Sequence, residues 1–166
     1  MSTERDILPH MQIAPAIYVR LEGSPRLGVF ARLIALAIAV GAMVVLYTAA
    51  SIEPSPTGVG THLQLGMQPC GFLQRTSLPC AGCGMTTSFA YLVRGHVISS
   101  LIAQPFGMVL CVLTAAGVWA GAYIAWTGKA SHRLLKLIPA RVHVIGWPTL
   151  ALSAWLWKLA LMSMGR

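Results

Sequence analysis

The sequence predicts an all-α membrane protein: three transmembrane helices, plus one or two short interfacial or re-entrant helices after a C-x-x-C motif. Three observations carry that prediction. The 166 residues are 56% hydrophobic and 10% charged, with a mean hydropathy of +0.70, whereas soluble domains average about 25% charged residues. Three apolar runs approach the roughly 20 residues needed to cross a bilayer. The Lys and Arg side chains behind the net charge of +8 flank those runs, where cations set topology and meet anionic headgroups. They are not gathered into one patch with stacking aromatics, which excludes nucleic acid as the expected partner.

Residues 1–32 read as a cytoplasmic tail and residues 33–166 as a single integral membrane domain. The tail mixes Arg5, Arg20, Arg26 and Arg32 with Glu4, Asp6 and Glu22, and Pro9, Pro15 and Pro25 interrupt any long helix. Ile13–Leu21 has the pattern of a short amphipathic turn on the membrane surface. Residues 33–50 are an uncharged apolar run, the first span. Its long leader and length separate it from a secretory signal, whose apolar stretch is only about 7–15 residues, so an uncleaved span is expected. Residues 51–104 hold a loop rich in proline and glycine, then the cysteines and the short helices.

Residues 105–126 are the second span, opened by Pro105, which suits a first helical position because its missing N–H leaves no bond unmade there. Gly117 and Gly121 form a G-x-x-x-G pair, a pattern that permits close helix approach in membranes. Residues 143–162 are the third span. Lys158 falls near its end, where the stem is expected to snorkel to the interface. The tail before span one and the loop between spans two and three each carry four Lys or Arg, against Arg75 and Arg94 in the long loop between spans one and two. The positive-inside rule then places the amino terminus in the cytoplasm and the cysteine loop outside it.

The densest concentration of special residues is Cys70–Gly95. Cys70 precedes the tetrad Cys80-Ala81-Gly82-Cys83, after which Met85, Phe89 and Leu92 recur at helical spacing as an apolar stripe. Thr86, Thr87, Tyr91 and Arg94 form the polar face of the same short helix. Its hydroxyls are expected to bond back to the preceding turn. Arg94-Gly95 is a helix stop: a cation beside the last carbonyls, then a residue free to turn left-handed. Three chemistries compete for Cys70, Cys80 and Cys83. A structural disulfide between two of them, on the oxidising side of the membrane, is the preferred reading. A redox pair of Cys80 and Cys83 is the second. A metal site in which His62 or His96 joins the three cysteines is the third, and free thiols packed against the bilayer are what remains if none of these holds. The expected cofactor is therefore none, with zinc or copper as the alternative. Cys111, inside the second span, reads as a small buried hydrophobe. Glu53 is the only acid after Glu22, which removes most general acid–base mechanisms.

Cys70, the run Leu78-Pro79-Cys80-Ala81-Gly82-Cys83-Gly84-Met85-Thr86, then Arg94-Gly95 and Gln104-Pro105, together resemble a family of small bacterial membrane proteins catalogued as domain of unknown function 2752. Its pattern is an early cysteine, C-P-x-C-G-x-T-R opening a helix, then R-G and N-P before a span. Ala81 stands at the usual proline and Thr87 at the usual arginine, so an anion contact by that arginine does not carry over. Arg94, two turns along, is its candidate substitute. The resemblance implies an integral membrane protein of unassigned activity. With no catalytic set in view, the expected function is a non-enzymatic subunit or adaptor with a cysteine-stapled extracytoplasmic loop. Its expected partners are the lipid bilayer and another membrane protein or a second copy. Thiol–disulfide exchange through Cys80 and Cys83, or zinc or copper binding, are the alternatives.

Overall fold

The computed structural model describes residues 26–129 and 140–164, the side chains of residues 140–143 excepted. The amphipathic turn read at Ile13–Leu21 and most of the basic loop after the second span lie outside the described residues. Within them the chain is helical, with no strand: α1 (Val29–Ser51), a 3₁₀ turn (Thr61–Leu65), α2 (Gly71–Thr76), α3 (Met85–Val93), α4 (Val97–Ala103), α5 (Pro105–Thr127) and α6 (Ala140–Ser163). Three helices are long and apolar enough to cross a membrane, over Val29–Ser51, Pro105–Thr127 and Val144–Ser163. The first two, with 23 residues each, run about 34 Å at 1.5 Å per residue, enough for a hydrocarbon core of about 30 Å. Their outer faces expose large apolar side chains such as Phe30, Ile38, Trp119 and Trp126, as a lipid-facing surface requires.

Helices α1 and α5 form an antiparallel pair, and its contact is made by small residues. A Cβ at Gly121 would lie 2.8 Å from the Ala35 carbonyl and 2.9 Å from the Ala39 Cβ, so only glycine permits this approach. Gly117 has open space around it. The G-x-x-x-G pair therefore works as one glycine inside the chain. The second close approach on α5 is Gly107, about four turns nearer its start, where a Cβ would meet Ser88 at 3.0 Å.

An arginine closes each end of this pair. Arg32, in the first turn of α1, donates from Nε to the Ala125 carbonyl at 2.9 Å and from Nη2 to the Trp126 carbonyl at 3.0 Å. Arg94, just past α3, donates to the carbonyls of Ala49 at 3.2 Å and Ala50 at 2.8 Å, and to Ala90 of its own helix at 2.9 Å. Both satisfy carbonyls that a helix end leaves without partners. The expected stop holds, since Gly95 has φ +82°. Arg94 is thus a clamp between α3 and α1, more than the interfacial charge its position suggests.

Helix α3 lies with its polar residues inward. Thr87, Ser88 and Ala90 are its buried residues, while Met85 and Phe89 line an apolar crevice of about 330 Å³ against Val44 and Val45 of α1. The hydroxyls do not bond back along their own helix. Thr87 Oγ1 meets Thr61 Oγ1 at 2.8 Å, and Ser88 Oγ lies within hydrogen-bond distance of Ser100 Oγ (2.9 Å) and of the Ser100 and Gln104 carbonyls (each 3.0 Å). These bonds tie α3 to the 3₁₀ turn, to α4 and to the start of α5. Gln104 is extended (φ −166°, ψ 106°), as the residue before a proline should be, and this corner separates α4 from α5.

Candidate functional site

Cys80–Cys83 is a tight turn closed by the Cys83 amide on the Cys80 carbonyl at 3.0 Å. The Cys80 amide donates to the Cys83 sulfur at 3.3 Å, and the two sulfurs are 3.3 Å apart. Cys70 comes from the start of α2, a helix not expected from the sequence. The Cys70, Cys80 and Cys83 sulfurs all lie within 4.8 Å of one another, and all three are free thiols. They share a cavity of about 630 Å³ with His62, Met67 and Thr87.

Side-chain donors to backbone carbonyls hold this turn within the cap, the layer of loops and short helices between α1 and α5. Gln104, fully buried, donates from Nε2 to the Ala81 carbonyl at 2.8 Å. Trp155 of α6 donates from Nε1 to the Pro79 carbonyl at 2.8 Å. Gly84 then reverses the chain into α3 at φ +90°, and a Cβ there would lie 2.7 Å from both the Ala103 and Gly58 carbonyls. Two independent constraints, a left-handed backbone and the absence of room, therefore demand glycine at this position.

Those same two carbonyls accept hydrogen bonds from Lys158. Its Nζ donates to Gly58 at 3.0 Å and to Ala103 at 3.1 Å, and the residue is only 4% exposed. The expected snorkelling does not occur. The stem turns inward because the cap offers carbonyls that interfacial water would otherwise have to supply.

Cys70 and Cys83 differ electrostatically. Burial, and then the Cys80 thiol beside it, push Cys83 up to about 12. Cys70 lies lower than an ordinary thiol, chiefly because the Leu73 amide, and then the Cys80 thiol, favour its thiolate. The cluster thus pairs an accessible, readily ionised sulfur with a buried one that stays protonated unless something replaces its proton.

His62 lines the cavity without joining the 4.8 Å sulfur group. Its Nε2 meets the Gln68 carbonyl at 3.2 Å. A carbonyl accepts, so Nε2 is the donor, and in the neutral imidazole the Nδ1 lone pair is then the one that faces a metal. His96 is elsewhere: it precedes α4, is exposed, and packs edge-on against Tyr91 with ring centroids 6.2 Å apart. The polar face read on α3 also divides. Thr86 and Thr87 line the sulfur cavity, whereas Tyr91 and Arg94 point to α4 and α1. Lys158, Gln104 and Trp155 are the site-building residues that the sequence reading missed. Gln104 carried a signal in the Gln104-Pro105 pair and Lys158 one in being a charge within an apolar run, whereas Trp155 carried none.

No curated protein and no solved structure matches the chain. Residues 70–118, from the first cysteine of the cluster into α5, match the family model described as a protein of unknown function (DUF2752), which bears out the resemblance carried by the cysteine motif.

Proposed function

We propose that this chain is a metal-binding membrane module whose centre is formed by Cys70, Cys80 and Cys83, with zinc the best-suited ion. The observation that carries this reading is the convergence of three sulfurs. A disulfide staple uses two sulfurs and gives no reason for a third beside them. Around a tetrahedral zinc with Zn–S bonds of about 2.3 Å, neighbouring sulfurs stand about 3.8 Å apart. The spacings here, from 3.3 Å up to at most 4.8 Å, bracket that value, so small side-chain shifts close the site. Binding displaces the thiol protons and forms three metal–sulfur bonds. This is how a thiol as reluctant to ionise as Cys83 becomes a thiolate. His62 Nδ1, or a water in the cavity, is the fourth ligand.

The distribution of Lys and Arg supports placing the cluster on the extracytoplasmic side of a bacterial inner membrane, with the amino terminus inside. The test is metal content. Full-length protein purified in mild detergent under reducing conditions should retain about one zinc per chain, and Cys83→Ser should lose it. Folded, reduced protein that takes up neither zinc nor copper would sink this reading. A Cys80–Cys83 disulfide recovered from protein kept under native conditions would favour the staple instead.

A further inference from the structure

The described residues contain one acid, Glu53, which is exposed. The Lys158 ammonium is therefore buried with no carboxylate partner among them. A charge taken out of water on a spanning helix is costly, and such residues mark functional sites in membrane proteins. Two of its three N–H donors are used by Gly58 and Ala103, which leaves one.

The position of the ammonium is built into the cap. Lys158 Nζ is 3.0 Å from where a Cβ would stand at Gly58 and 3.3 Å from where one would stand at Gly84. Gly84 directly follows Cys83, itself only 7% exposed. Two side-chain-free positions in different loops thus admit a lysine from α6 to a place beside Gly84, the residue next to the buried Cys83.

Charge counting gives this arrangement a purpose, resting on the metal reading above. Three thiolates with a divalent cation sum to −1, and a neutral imidazole or water as fourth ligand leaves that unchanged. Adding Lys158 brings the sum to zero. Three thiolates with a monovalent cation, such as copper(I), would stand at −1 even with the lysine. We infer that Lys158 is the centre's counter-charge, held beside Gly84 and so next to Cys83, and that the cap thereby holds a divalent metal on three thiolates as an electrically neutral unit. Lys158 touches no ligand of the metal in this role. It is a positioning residue, and it makes the docking of α6 part of the metal site.

The test compares zinc binding to full-length wild-type protein and Lys158→Gln, both reconstituted in lipid nanodiscs and titrated against a chromophoric chelator. The expected result is one zinc per chain in each, with the affinity of Lys158→Gln lowered about 10- to 100-fold, as for other outer-shell partners of metal ligands. Equal affinities in two folded proteins overturn the inference and leave the metal reading intact. Wild-type protein that binds no zinc overturns both. The wild type alone decides the matter if Lys158→Gln does not fold. The chain has three lysines, Lys129, Lys136 and Lys158, so the Lys158 Nζ resonance can be followed in protein labelled with ¹⁵N-lysine. It should move on zinc loading while Lys129 and Lys136 do not; a Lys158 signal unmoved by one equivalent of bound zinc overturns the inference.

Discussion

The two ends of the α1–α5 pair use the same device to different effect. At one end Arg32 covers the last carbonyls of α5, and at the other Arg94 covers the last carbonyls of α1. The Arg32 end stops there: Leu27 bonds back to the Gly128 carbonyl at 2.8 Å, and no further buried polar group is gathered among the described residues. At the Arg94 end, by contrast, buried Thr, Ser, Gln and Lys side chains knit together the layer of loops and short helices that carries the three sulfurs. An arginine over a helix end is a fastening. What distinguishes a site from a fastening here is polar burial well beyond what capping needs, organised around groups with chemistry of their own.

That contrast is open to direct attack, and the largest effect expected is at the sulfurs. In metal-free protein, Cys70 should alkylate rapidly with a small maleimide while Cys83 scarcely reacts. A thiol at about 12 has about one sulfur in ten thousand ionised at pH 8, and the thiolate is the nucleophile. Mass spectrometry of the modified peptides gives the order, and zinc should protect both positions.

Gly84→Ala comes next. It places a Cβ at φ +90° and 2.7 Å from two carbonyls, a combined cost of about 3 kcal/mol or more. Thermal unfolding should show a large fall in Tm, accompanied by loss of zinc. Gly121→Ala should cost about 1–3 kcal/mol through the Ala35 and Ala39 contacts, but with zinc affinity unchanged, because that contact lies in the spans. Gly117→Ala, with open space around it, should be neutral or stabilising by up to about 1 kcal/mol.

The two arginines sharpen the comparison most finely. Arg32→Ala and Arg94→Ala each remove charged hydrogen bonds to carbonyls, at about 1–3 kcal/mol apiece. Their effects on stability should be similar, while only Arg94→Ala should weaken zinc binding, since α3 starts at the cysteine turn. Equal loss of zinc affinity in both would erase the distinction between the two ends.

Several features were legible from local sequence. Apolar runs, proline at the start of α5, the Arg94-Gly95 stop and the C-x-x-C turn each depend on residues a few positions apart, whose chemistry acts within one element. The single covalent spacing of Cys80 and Cys83 was enough to flag a site. Its third member was visible as a nearby cysteine, but not its approach to the other two, which α2 provides.

Tertiary structure decided which way each face points. The sequence showed an apolar and a polar stripe on α3, and in a soluble protein the polar stripe would face out. Beside lipid the preference reverses, because hydroxyls find partners only inward. Thr87 and Ser88 therefore meet groups 26 and 12 residues away, and Lys158 meets a carbonyl 100 residues away. The sequence by itself determined where the spans run and where the sulfurs sit along the chain. Folding decided that a lysine from α6 is buried beside Gly84, the residue after Cys83, because a buried cation takes its place from long-range carbonyls that no local pattern encodes.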